Sequence, residues 1–87
     1  MRRECRTLRE FDRLFKRLPE RIRDETYEKL ALFLEDSAHP WLRVKRVRGT
    51  ERIWEMSITM NYRLTFELDD ERVVLRRIGT HDVLRQP

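Results

Sequence analysis

Residues 61–82 read NYRLTFELDDERVVLRRIGTHD, and this stretch decides the fold. Two apolar runs that favour strands, residues 62–68 and 73–78, flank the acidic turn Asp69-Asp70-Glu71, which is the pattern of a β-hairpin. Alternate residues of the first run are apolar and are expected to face a core: Tyr62, Leu64, Phe66 and Leu68. The residues between them are expected on the opposite face of the sheet, which we call the open face.

The length of the acidic turn decides which side chains of the second run face the core. A three-residue loop would place Val74 and Ile78 in the core and set Arg77 beside Arg63 on the open face. A two- or four-residue loop would reverse these faces and turn Arg77 inward. Either register turns Arg76 or Arg77 toward the core, where an arginine needs a partner. The pattern leaves both registers open, and we favour the first because it groups Arg63 with Arg77.

Two helices are predicted upstream of the sheet. Residues Thr7–Glu10 have the form of a capping box, in which the threonine caps the helix and the glutamate reaches back to it. Apolar residues at helical spacing continue as far as Leu18, and Pro19 then ends this helix and suits the first turn of a second one. The second helix is expected to end before His39, since Pro40 disfavours helix at the preceding residue.

Three further strands are predicted, at residues 2–7, 43–47 and 53–58. The expected architecture is α+β: an N-terminal strand and a two-helix hairpin packed on a four-stranded antiparallel meander, in β-α-α-β-β-β-β order. The 87 residues are expected to form a single domain, 1–87. The one cysteine, Cys5, is expected in the core, and it excludes an internal disulfide or a cysteine-based zinc site.

Positive charge is concentrated just before the third of these strands. The net charge is +4, and one ten-residue segment carries five cations, Arg43, Lys45, Arg46, Arg48 and Arg52, against the single acid Glu51. Such a cluster favours a polyanion or an acidic protein as partner. The alternative is a strand edge protected by cations against pairing with another chain. The longest apolar run has five residues, so no membrane span is predicted and a cytoplasmic protein is expected.

The hairpin also carries residues suited to phosphate chemistry. Arg63 and Arg77 offer permanently charged, bidentate donors, and His81 is the proton carrier near the sheet that can work at neutral pH. The alternatives are cross-strand ion pairs for the arginines and a hydrogen bond from the histidine to the end of a strand. Glu55 is the candidate base, although a strand glutamate among arginines commonly forms only an ion pair. Neither a metal nor a cofactor is predicted.

Other residues are candidates for binding RNA. Lys45, Arg46 and Arg48 would contact the phosphate backbone. Tyr62 is a further candidate for contact with RNA. Trp41 follows a proline in a loop and is either exposed or, as we favour, packed over the end of the second helix.

The chain resembles the RelE superfamily of bacterial toxins, and most closely its YafQ and YoeB branches. The resemblance covers nearly the whole chain: the Leu18-Pro19 break, residues 42–49, Tyr62-Arg63 at a strand start and Arg77-Ile78-Gly79-Thr80-His81-Asp82. It implies a toxin that cuts mRNA on the ribosome without a metal or a cofactor. An acidic, partly disordered antitoxin would silence this toxin. Within the family's pattern, Arg63 and Arg77 would hold the scissile phosphate and His81 would transfer a proton.

The chain departs from that pattern in three ways. The strand lysines of RelE have no counterpart, since the region reads Glu55-Met56-Ser57. The extra histidines of the YafQ branch are absent, and no aromatic follows the last strand. Two alternatives therefore stay open: a non-enzymatic gyrase inhibitor like ParE, and a catalytically degenerate relative that only binds its antitoxin.

Overall fold

The computed structural model describes residues 3–87, and its elements follow the predicted order. In chain order they are β1 (Glu4–Thr7), α1 (Arg9–Lys16), α2 (Glu20–Glu35), a 3₁₀ helix (Pro40–Leu42), β2 (Lys45–Arg46), β3 (Ile53–Ser57), β4 (Tyr62–Leu68), β5 (Arg72–Thr80) and a C-terminal 3₁₀ helix (His81–Arg85). The predicted α+β architecture is confirmed. None of the helices within residues 3–87 is both long and apolar enough to cross a membrane.

The strands form one five-stranded sheet of order β1-β5-β4-β3-β2. The last four strands make the predicted antiparallel meander. The N-terminal strand completes the sheet by pairing with β5 in the parallel direction, so the sheet is mixed. Within residues 3–87, β1 pairs only with residues 72–75, so the second half of β5 has no strand paired along its outer edge.

The core lies between the helices and one face of the sheet. Phe66 and Leu64 of β4 are fully buried, and the Phe66 ring packs edge-on against Phe33 of α2 at 5.1 Å between centroids. Phe11 of α1 and Met56 of β3 belong to the same cluster. The faces predicted for β4 are therefore confirmed.

A β-bulge resolves the register of the hairpin. Four residues, Asp69–Arg72, separate the paired residues Leu68 and Val73, which is the loop that turns Val73 and Leu75 inward. The pairing then shifts between Thr65 and Phe66, so that Arg76 is an extra residue on β5. Beyond it Ile78 faces the core and Arg77 the open face.

The favoured three-residue loop was therefore wrong, although its placement of Ile78 and Arg77 holds. Each predicted register describes one half of β5. A bulge of this kind bends the strand and leaves the extra residue unpaired. Because the faces switch at Arg76, neither arginine enters the core, and both are only partly buried.

Three local predictions were wrong. The capping box does not form: Leu8 is the N-cap of α1, without a side-chain hydrogen bond, and Glu10 binds arginines instead. Cys5 is exposed, because β1 is a short edge strand whose four residues all face solvent. The second strand begins at Lys45 because Arg43 adopts the left-handed conformation at the end of the 3₁₀ helix. Residue 2 of the predicted first strand lies outside the described residues.

Candidate functional site

The open face carries one row of side chains across four strands. Lys45 pairs with Glu55, Glu55 with Thr65, and Thr65 with Arg77. The C-terminal segment covers the middle of this row, because the Thr65 hydroxyl donates to the main-chain oxygen of Pro87 at 3.0 Å. Thr65 is consequently fully buried and Glu55 is 5% exposed. Thr65 points away from the core as predicted, but the C-terminal segment covers the open face at this position.

Arg63 stands diagonally beside this row and connects it to the β3–β4 turn. Its Nε lies 3.9 Å from a Glu55 carboxylate oxygen. Its guanidinium also donates to the main-chain oxygens of Thr59, at 2.9 Å, and of Met60, at 3.0 Å. The cross-strand ion pair considered for Arg63 therefore exists, and its partner is Glu55. These contacts fix the cation at the end of the sheet, where a phosphate would replace or share its acceptors.

His81 lies next to Arg63 in a cleft of about 420 Å³ at this end of the hairpin, which we call the His81 cleft. Its lining residues are Met60, Asn61, Tyr62, Arg63, Thr80 and His81. The strand register brings His81 to this cleft, because Tyr62 pairs with Thr80, the residue immediately before the histidine. His81 is exposed, and within residues 3–87 its side chain has no hydrogen bond or ion pair. The alternative of a histidine bonded to the strand end is thus not realised.

Arg77 does not line the His81 cleft. Its guanidinium Nη2 lies 3.5 Å from Glu10 of α1, and its Nε is buried without an acceptor among the described residues. Arg77 nevertheless shares the open face with Arg63, two residues away in register.

Glu10 connects α1 to this arginine. A hydrogen bond from Arg13 holds the pKa of its carboxyl below the usual range, and the charges of Arg13, Arg77 and Arg17 add to the effect. A carboxylate whose pKa is depressed on folding stabilises the fold above its unfolded pKa, and this contribution is lost as the pH falls through the folded pKa.

Glu10→Gln is therefore expected to lower Tm slightly at neutral pH, and the difference from the parent chain should vanish at acid pH. Circular dichroism melts across a pH series would measure this. Glu51→Gln is the matched control, since Glu51 is exposed and has no ion pair within residues 3–87. A Tm difference for Glu10→Gln that stays constant with pH would contradict the role given to Arg13 and Arg77.

The basic residues predicted to bind RNA lie at the other edge of the sheet. Lys45 and Arg46 form the short edge strand β2, and Arg48 follows in the turn before Gly49, whose φ is +84°. All three cations are exposed, and none has an ion pair in the part of the chain that the structure describes. Their charge is therefore available to an external polyanion.

A second cleft, of about 410 Å³, was not predicted from the sequence. It lies on the other side of the β3–β4 turn and includes Trp41, which is 73% exposed rather than packed over the end of α2. Lys29, Arg43 and Met60 also line it. From the sequence, only the possibility that Trp41 is exposed pointed to this cleft. The other residues that line it come from three separate segments of the chain, so their grouping could not be predicted.

Solved structures share this fold at low sequence identity. A chain of the Escherichia coli DinJ–YafQ toxin–antitoxin complex superposes with a TM-score of 0.80 at 15% identity, covering 97% of this chain and 98% of that one. The YoeB dimer from Staphylococcus aureus gives 0.79 at 13% identity, with 93% and 99% covered. The RelB–RelE antitoxin–toxin complex from Methanococcus jannaschii gives 0.74 at 16% identity, with 92% and 94% covered.

No family model and no curated protein matches the sequence. The similarity is thus one of fold, extends over nearly the whole of each chain, and confirms the RelE-like architecture.

Proposed function

We propose that this chain of RelE-like fold is the toxin of a type II toxin–antitoxin system, an endoribonuclease that cuts mRNA on the ribosome in the cytoplasm. The observation that carries the proposal is the His81 cleft, in which a histidine with no side-chain partner within residues 3–87 lies beside an arginine fixed at the sheet end. The similarity to solved RelE, YoeB and YafQ structures supports the same reading.

The chemistry follows from the residues in the cleft. His81 takes the proton of a ribose 2′-hydroxyl, and the 2′-oxygen forms a bond to phosphorus. Arg63 stabilises the charge of the phosphorane. The bond from phosphorus to the 5′-oxygen then breaks, and water supplies the proton to that oxygen. The products are a 2′,3′-cyclic phosphate and a 5′-hydroxyl.

Glu55 has a positioning role in this scheme. The sequence made it the candidate base, but at 5% exposure it is too enclosed to contact a substrate hydroxyl. Its carboxylate instead faces the Arg63 Nε and orients that cation. Arg77 would bind a phosphate oxygen only if that oxygen replaced Glu10 as the partner of its guanidinium or joined it there.

Lys45, Arg46 and Arg48 give affinity for ribosomal or messenger RNA without reading its sequence. Tyr62 lines the His81 cleft and would contact the RNA there. The partner that silences the toxin is an acidic, partly disordered antitoxin, which folds as it docks. Solved relatives of this fold include complexes of YafQ with DinJ and of RelE with RelB, which supports a partner of this kind.

Expression of the chain without its antitoxin should stop protein synthesis while DNA synthesis continues. Pulse labelling with an amino acid and with thymidine measures both rates, and mapping of mRNA ends on purified ribosomes identifies cleavage. Blocked DNA synthesis with continuing translation would contradict the proposal and favour a gyrase inhibitor. Intact ribosome-bound mRNA, together with tight binding of the protein encoded beside this chain, would favour a degenerate antitoxin-binding relative.

A further inference from the structure

The second cleft combines an exposed aromatic with several cations. Trp41 and Met60 are 73% and 89% exposed, which is unusual for large apolar side chains. Lys29, Arg43 and Arg63 line the same cleft. A nucleic acid strand needs both a stacking surface and phosphate contacts, and this cleft offers an exposed indole with the exposed cation Arg43 beside it.

The indole is held in position by local structure. The Trp41 amide donates to His39 Nδ1 at 3.1 Å, and the two rings meet edge-on at 5.1 Å. Pro40 starts the 3₁₀ helix and fixes its first turn. A side chain that is mostly exposed yet fixed in place loses little conformational entropy when a base stacks on it.

Arg43 lies in the cleft in a strained backbone conformation. Its φ is +48° and its ψ +47°, the left-handed region, which is unfavourable for a residue with a side chain. Strain of this kind is concentrated at functional sites. Arg43 has no ion pair among residues 3–87, so its charge is free for a ligand.

The second cleft adjoins the His81 cleft. Arg63 and Met60 line both. A strand whose scissile phosphate lies at Arg63 would therefore have its neighbouring nucleotides within reach of the second cleft. The cations alone would suit an acidic protein segment as well, and it is the shared Arg63 that favours single-stranded RNA as the occupant.

We propose that the second cleft is a nucleotide-binding subsite in which Trp41 stacks on an unpaired base and Arg43 contacts a flanking phosphate. Lys29 lies in the same cleft but is already paired with Glu25 at 3.2 Å. The inference rests on the proposed function, because it identifies the strand in the second cleft with the RNA cut in the first. The subsite orients the strand and takes no part in proton transfer.

Binding of a fluorescein-labelled single-stranded RNA to the purified chain tests the subsite separately from cleavage. Trp41→Ala should weaken binding about 5- to 150-fold, the effect of losing one stacked base, and Trp41→Phe should restore most of it. In a Trp54→Phe background, Trp41 is the only tryptophan, and its emission should be quenched by the strand. Arg43→Ala should lower the salt dependence by about one phosphate contact, and Trp41→Ala should leave it unchanged.

An abasic strand and Tyr27→Ala are the matched controls. The abasic strand keeps its phosphates, so the parent chain and Trp41→Ala should bind it equally. Tyr27 is another exposed aromatic, at 63%, and it does not line the cleft, so its replacement should not change RNA binding.

Equal RNA affinity of Trp41→Ala and the parent chain, or no binding by either, would overturn the inference. Loss of antitoxin binding alone would also overturn it and assign Trp41 to a protein interface. If Trp41-dependent binding occurs and mRNA stays intact, the subsite stands and the proposed nuclease falls. If mRNA is cut and Trp41→Ala binds RNA normally, the proposed nuclease stands and the subsite falls.

Discussion

Deletion of Leu75 is expected to abolish the cooperative unfolding transition of this chain. Leu75 is 1% exposed and pairs with Phe66 at the centre of the sheet. Without it, the next residue along β5, Arg76, would face the core there. Loss of a buried leucine costs about 2–5 kcal/mol, and an unpaired guanidinium adds several kcal/mol more. The sum approaches or exceeds the total stability of about 5–15 kcal/mol that is typical of a native domain.

Deletion of the adjacent Arg76 is the matched control and should leave the chain folded. Because Arg76 is the extra residue of the bulge, its removal keeps Leu75 opposite Phe66 and Arg77 opposite Thr65. The deletion costs the 2.7 Å ion pair with Glu67, which is partly exposed and contributes at most about 1 kcal/mol. It also costs the 3.1 Å hydrogen bond from Arg76 Nε to the main-chain oxygen of Pro87, which Thr65 still binds. Thermal melts followed by near-ultraviolet circular dichroism would compare the two proteins. Equal loss of structure in both would show that the bulge itself, and not the facing of side chains, holds the sheet together.

The bulge also explains how far the sequence could determine the fold. Alternation in residues 62–68 fixed the faces of β4, because each apolar residue there is separated from the next by a polar one. In β5 the inward residues Val73, Leu75 and Ile78 are spaced by two and then by three. A regular strand cannot place both intervals on one face, so each simple register accounted for only part of the pattern.

The candidate site was predictable to a similar extent. Arg63 and His81 could be expected together, since a hairpin brings the start of its first strand beside the end of its second. The partners of the charged groups could not be predicted. Glu10 reaches Arg77 from α1, and Arg63 binds the oxygens of a turn whose shape depends on backbone geometry.

The burial of part of the open face could not be predicted from the sequence either. Thr65 is covered because the C-terminal residues return to it, a contact over 22 positions of sequence. The surroundings of Trp41 are likewise nonlocal, because α2, the 3₁₀ helix and the β3–β4 turn each contribute to its cleft. Such contacts depend on how elements pack, and local pattern carries no information on them.

Under the proposed function, His81→Ala is expected to lower the rate of mRNA cleavage on translating ribosomes by about 100- to 10,000-fold, the effect of removing a proton-transfer group. Since the His81 side chain is exposed and has no hydrogen bond within the described residues, its loss should change stability by no more than about 0.5 kcal/mol. Single-turnover cleavage, measured with thermal melts of the same preparations, separates the two effects. Asp82→Ala is the matched control, because this exposed neighbour lies in the same 3₁₀ helix and outside the His81 cleft.

Combining His81→Ala with Arg63→Ala distinguishes a shared reaction centre from two independent contacts. Arg63→Ala alone should cost about 100- to 1,000-fold, the effect of losing one donor to a developing oxyanion. Because the proposed mechanism has both groups act on one phosphate, the double variant should be little slower than the slower single variant. Arg63 also holds the β3–β4 turn, so Arg63→Lys, which keeps the charge, tests whether the loss is structural. Cleavage by His81→Ala at the parent rate would remove the histidine from the mechanism, and fully multiplicative losses would mean that the two residues act at separate sites.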